Sequence, residues 1–250
     1  MRTSNPVLTR LTDAARNTGL VRSGDGVMTR AGTAGKAAVL LALVIFSASF
    51  TWNEFARATT GILGPAMLVG GLGGFIVALV TTFKPNTAPV TAPLYAVLEG
   101  LLLGGISAMY QQRFPGIPMQ AVGLTFATAA GVFVLYRLNV LKATDGFRRI
   151  IIAATMGIAL FYLVAMLFSL FGSGVSFLAG SSPLAIGINV VVAAVAALNL
   201  VLDFDLIDEG ARVGAPKKLE WFAAFGLLVT LVWLYLELVR LFARLQGRRD

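Results

Sequence analysis

The chain has 250 residues, 57% apolar and only 13% charged, with a mean hydropathy of +0.83. Soluble globular domains carry about a quarter of their residues as charges, so this composition is that of an integral membrane protein. The net charge is +8 and the chain holds no Cys and no His, which excludes disulfide scaffolds, Cys/His zinc sites, haem held by His, thiol catalysis and the Ser-His-Asp triad.

Residues 1–35 form the longest polar stretch, rich in Arg, Thr, Ser and Gly. It lacks the short apolar core and small-residue cleavage site of a signal peptide, and we read it as a retained, mobile basic arm. Its Arg2, Arg10, Arg16, Arg22 and Arg30 favour an anionic membrane surface.

Seven apolar runs follow, near 36–55, 61–83, 90–111, 117–137, 149–171, 184–206 and 220–244. Each reaches the roughly 20 residues that a membrane-crossing helix needs. Polar or turn residues separate them: Asn53-Glu54, Lys84-Pro85-Asn86, Arg113-Phe114-Pro115-Gly116, Lys142 to Arg149, Ser181-Ser182-Pro183 and Gly214-Ala215-Pro216. The expected fold is an all-α membrane protein, a seven-transmembrane-helix bundle over 36–245, with a basic tail over 246–250. A count of six, with the last run re-entrant, stays open.

The bases set the orientation. With the N-terminus cytoplasmic, fourteen of the twenty lie inside and six (Arg57, Arg113, Arg240, Arg244, Arg248 and Arg249) outside. That bias predicts a multi-pass protein of the plasma membrane with its N-terminus inside, the basic tail being the discordant part. Because the bases sit between apolar runs, topology accounts for them and no nucleic-acid partner is expected. Gly70 with Gly74, and Gly100 with Gly104, have the small-xxx-small spacing that lets helices approach closely.

Of the twelve acids, Glu99, Asp203, Asp205 and Glu237 lie inside apolar runs. An acid in lipid costs roughly 2.5–3.5 kcal/mol at a helix centre, so each invites a functional reading. Glu99 sits near mid-depth with no base within four residues in its run, so its partner is expected from another helix, from water or as a proton. Asp203 and Asp205, two residues apart, point about 200° from each other. Asp208 and Glu209 follow just beyond, with Arg212 one turn after Asp208 as a surface pair. Arg240 lies three residues after Glu237, as a same-helix ion pair requires. Without His, a pH response near neutrality falls to carboxylates or, more rarely, to a Lys.

Other chemistries drop out. A retinal pigment needs a Lys in the last helix, and none lies between Leu219 and Leu245. Phosphate-binding glycine loops are absent, no nucleophile–base constellation marks an enzyme, and no cofactor is expected.

Three segments carry a resemblance to a known family: Leu98-Glu99-Gly100-Leu101-Leu102-Leu103-Gly104, Leu202-Asp203-Phe204-Asp205-Leu206-Ile207, and Leu234-Tyr235-Leu236-Glu237-Leu238-Val239-Arg240-Leu241-Phe242. With the seven-run layout, the chain resembles the Bax inhibitor-1 family over about residues 36–245, in a bacterial branch. The resemblance implies seven helices with a central last one and a pH-sensitive calcium leak gated by two aspartates on the last two helices. By position these are Asp203 and Glu237, the latter a departure to Glu.

Depth works against that pairing. Glu237 lies about 27 Å into its helix from Leu219, and Asp203 only a few residues from the inner end of the preceding helix. Glu220 or Glu99 is then the alternative partner for Asp203 or Asp205. The expected function is a pH-sensitive cation (calcium) leak or proton-coupled exchanger. Asp203, Asp205, Glu99 and Glu237 are its gate carboxylates, Asp208, Glu220 and Arg240 accessories, and Asp203 and Asp205 weak, transient Ca2+ ligands. The alternative is a non-transporting partner of a membrane protease or stress response, acting through the N-terminal arm.

Overall fold

The computed structural model describes residues 26–57, 60–170 and 182–248, and among them seven helices are long and apolar enough to cross a membrane. We number the helices α1 (Arg30–Ala56), α2 (Thr60–Leu68), α3 (Gly74–Phe83), α4 (Ala88–Arg113), α5 (Ile117–Arg137), α6 (Asp145–Leu170), α7 (Pro183–Arg212) and α8 (Leu219–Gln246). A π-helical turn, Val69–Gly73, joins α2 to α3, so that pair makes one span over Gly61–Phe83. All seven expected runs are therefore helical spans. Arg2, Arg10, Arg16 and Arg22 of the basic arm lie outside the described residues.

The helices outrun their apolar cores. α1 begins at Arg30, six residues before the apolar run, because Thr29 caps it by accepting a 2.9 Å hydrogen bond from the Gly32 amide. α7 runs on to Arg212 through all four acids of its last turns. Asp203 is thus nine residues from the end of its helix, about 13 Å, and deeper than the apolar run alone implies.

Much of the outer surface is apolar. Phe46, Phe75, Ile150 and Met156 are exposed, and only 6% of the apolar window of α6 is buried, against 61% for α8. Water would penalise such a surface and hydrocarbon does not, which is the physical signature of a membrane protein. Buried hydroxyls return their hydrogen bonds to the preceding turn, as Ser47 does to Leu43 and Thr125 to Ala121.

The chain forms two compact units. Unit 1 joins the residues up to Met109 with Asp203–Leu228; unit 2 joins Tyr110–Leu202 with Val229–Asp250. Unit 1 packs by close backbone approach. A Cβ on Gly100 would meet the Val44 carbonyl at 2.5 Å and Ser47, and one on Gly104 would strike Ala48 and Thr51. On the other face of α4, a Cβ on Gly70 would lie 2.6 Å from the Leu98 carbonyl. The small-xxx-small pairs therefore serve packing within the chain, and the π turn keeps Gly70 and Gly74 both facing α4. At one end of unit 1, Met28, Ala215, Leu219 and Ala223 form an apolar cluster over Leu206, Ile207 and Phe222.

Unit 2 contains α5, α6 and the longer parts of α7 and α8. Its helical glycines Gly123, Gly131, Gly157 and Gly187 face open space, with nothing within 4 Å of a Cβ. Side-chain hydrogen bonds tie its helices instead, among them Asn199 on α7 to Thr155 on α6 at 2.9 Å.

Candidate functional site

Three carboxylate settings emerge, two in unit 1 and one in unit 2. The first is built around Glu99 and Asp203. Glu99, on the glycine-lined face of α4, is only 9% exposed, and the position of a Cβ on Gly74 lies 3.3 Å from its Oε2. Its partner is the phenol of Tyr95, one turn earlier on the same helix. Spacing i, i+4 on α4 places this phenol beside Glu99, in addition to the other helix, water or proton that the sequence leaves open. Among the described residues no base forms an ion pair with Glu99.

Tyr95 packs edge-on against Phe225 of α8, ring centroids 5.0 Å apart. The next residue, Gly226, faces α7, where Asp203 Oδ1 lies 3.7 Å from the place a Cβ would take. Tyr95 from α4 and Asp203 from α7 therefore meet neighbouring residues of α8. Asp205 is half-buried on the same α7 turn. No group of three or more acids converges among the described residues.

The second setting is Glu220, in the first turn of α8 and fully buried. It accepts hydrogen bonds from the Thr29 amide at 2.9 Å and the Thr29 hydroxyl at 3.1 Å, and pairs with Lys36. Lys36 also lies over the Trp221 ring, 5.6 Å from its centroid. Glu220 is thus engaged by α1, where the sequence had offered it as a partner for Asp203 or Asp205. Backbone contacts extend the junction: the Met28 amide donates to Ala215 O at 2.7 Å and the Lys217 amide to Gly26 O at 3.3 Å. Gly214, at φ +67°, makes the turn that brings α8 back.

Arg30 pairs with Asp208 at 2.5 Å, while Arg212 pairs with Glu209 at 2.6 Å. This corrects the expected Asp208–Arg212 pair. A spacing of three on α7 suits Glu209, and α1 delivers a second base to Asp208.

The third setting, in unit 2, is Glu237. It is fully buried in α8 and pairs with Arg240 at 2.8 Å, the same-helix ion pair expected from the spacing. Tyr162 of α6 donates to it at 3.1 Å and Asn189 of α7 at 2.6 Å. Arg240 reaches the Tyr162 hydroxyl at 3.1 Å, and Arg244 the Ala185 carbonyl at 2.9 Å. Such a node satisfies a carboxylate with charge-assisted donors and leaves it little room to act elsewhere.

Sequence reasoning did not assign Tyr95, Gly226, Tyr162, Thr29 or Lys36 to these settings. Tyr95 was visible at i−4 from Glu99, but only bases had been sought there. Lys36 and Glu220 open the first and last apolar runs with opposite charge, a complementarity that run-by-run reading passes over.

Curated proteins show no match to the chain. The family model described as Bax inhibitor 1 like matches residues 5–247, which takes in all seven spans and the three carboxylate settings. On that match, this seven-span chain belongs to the Bax inhibitor 1-like family.

Proposed function

We propose that the protein is a passive, pH-sensitive cation leak, calcium among its ions, or a proton-coupled exchanger. It acts in the plasma membrane with its N-terminus cytoplasmic and performs no enzymatic step. One observation carries this reading: Tyr95, one turn before Glu99 on α4, packs on Phe225 of α8, and Asp203 of α7 lies against the neighbouring Gly226. Glu99 has a neutral phenol as partner, so its proton can come and go without breaking an ion pair.

The mechanism follows from the charges. When protonated, the two acids are neutral, hydrogen-bond locally and keep the path dry. When both are ionised they repel, and that repulsion biases the closed–open equilibrium toward the open form. The open path admits water and draws a hard cation, for which carboxylate oxygens are the natural ligands. Asp205 adds negative potential beside the path, and Glu237, held by Arg240, Tyr162 and Asn189, acts as a structural node.

The test is calcium flux into vesicles containing the purified protein, scanned over pH. The wild-type protein is expected to conduct more as pH rises through the range where the pair ionises. Asp203→Asn with Glu99→Gln should abolish the pH dependence, and an unchanged dependence would overturn the assignment. Absence of flux from the wild-type protein at every pH would favour the non-transporting reading, with the N-terminal arm as the contact to a protein partner.

A further inference from the structure

We infer that Glu220 is a positioning residue: its buried clasp on Lys36 and Thr29 fixes the depth at which α8 presents Gly226 to Asp203. The inference rests on the cation-leak reading and adds a control point some distance from the gate.

The clasp joins three elements at one end of unit 1. Glu220 opens α8, Thr29 and Lys36 open α1, and Arg30 pairs with Asp208 near the end of α7. The Glu220 side chain has no solvent exposure and that of Lys36 has 18%. The carboxylate also lies at the N-terminus of α1, where the helix dipole favours an anion. Gly32 is required there, because a Cβ would strike the Glu220 carboxylate.

Gly226 lies six residues after Glu220 and Asp203 five before Asp208, which is about 9 Å and about 7.5 Å along their helices. Both halves of the gate thus hang at similar depth from one junction. The apolar cluster of Met28, Ala215, Leu219 and Ala223 fills the space beneath it. Moving α8 by a single residue would carry Gly226 off Asp203 and Phe225 off Tyr95 together.

Among the described residues, charged and titratable groups near the junction come from several elements. α1 brings Arg30 and Lys36, α4 brings Tyr95 and Glu99, α7 brings Asp203, Asp205 and Asp208, and the turn before α8 brings Lys217 beside Gly26. Among these, the Lys36–Glu220 pair joins the starts of α1 and α8. Loosening it lets α8 slide, which carries Gly226 off Asp203 and Phe225 off Tyr95 and so alters the surroundings of the gate.

The experiment uses the full chain in vesicles and exploits the absence of native Cys. Ile207→Cys, beneath the clasp, supplies a single thiol for a water-soluble maleimide. Glu220→Gln and Lys36→Met are expected to raise its labelling rate at least about tenfold, as loss of a buried pair favours local opening. They should also move the midpoint of calcium flux by about half a pH unit or more. Lys36→Arg, which keeps the charge, should restore both readouts. Faster labelling with an unmoved flux midpoint would reduce the clasp to a structural role and overturn the inference. Unchanged labelling would overturn it as well. A wild-type protein without flux would instead sink the cation-leak reading, and this inference with it.

Discussion

Unit 1 and unit 2 solve the same physical problem differently. In lipid, apolar side chains gain little by leaving one hydrocarbon environment for another, so helices must be held by close packing or by polar contacts. Unit 1 adds close packing to its Lys36–Glu220 clasp: Gly70, Gly100 and Gly104 let α4 approach its neighbours at backbone distance. Unit 2 leaves its helical glycines facing open space and gathers α6, α7 and α8 around Glu237. The consequence reaches the chemistry. Where glycines hold the helices, the buried acid Glu99 needs only a phenol and stays available. Where an acid holds the helices, it is committed to Arg240, Tyr162 and Asn189.

The sharpest way to break this comparison is to neutralise Glu99 and Glu237 in turn. Glu237→Gln leaves Arg240 without its anion and weakens two further hydrogen bonds. Breaking a buried pair in this way should lower stability by about 3 kcal/mol, read from unfolding in detergent titrated with SDS. Glu99→Gln keeps a hydrogen-bonding group opposite Tyr95 and should stay within about 1 kcal/mol of wild type. Equal losses from the two substitutions would mean that Glu99 is as structural as Glu237.

Glycine substitution probes the other half of the contrast. Gly100→Ala and Gly104→Ala push a methyl group into backbone and hydroxyl atoms of α1. Each should destabilise by about 1–3 kcal/mol in the same assay, as overpacking does. Gly123→Ala and Gly131→Ala meet nothing within 4 Å, so they should be neutral or stabilising by up to about 1 kcal/mol through helix propensity. Parallel losses at all four positions would erase the difference between the units.

Much of this architecture was legible before the coordinates. The seven spans follow from apolar run length alone, since hydrocarbon tolerates only closed hydrogen-bonding elements. Ends were less legible: α1 and α7 run six residues further than their apolar runs, because capping and ion pairs extend a helix where hydropathy has fallen away. The Glu237–Arg240 pair was readable because both partners lie on one helix, three residues apart. Tyr162 and Asn189 were not, since α6 and α7 bring them in from 75 and 48 residues away. The π turn at Val69–Gly73 has no period to detect, although its run of glycines marks the place.

A last and smallest effect separates the clasp from its neighbours. Arg212 makes two short contacts to Glu209, at 2.6 and 2.8 Å, a geometry that looks stronger than several buried pairs. Its side chain is 72% exposed, however, and the pair spans a single turn at the end of α7. Water and salt screen such a contact, and ordering two long side chains offsets what attraction remains. Arg212→Ala should therefore leave the unfolding midpoint, the maleimide labelling rate and the flux profile unchanged. A loss approaching that of Glu220→Gln would show that charge anywhere along this end of α7 holds unit 1 together. No measurable change assigns that holding to the desolvated pair between α1 and α8, where geometry and burial coincide.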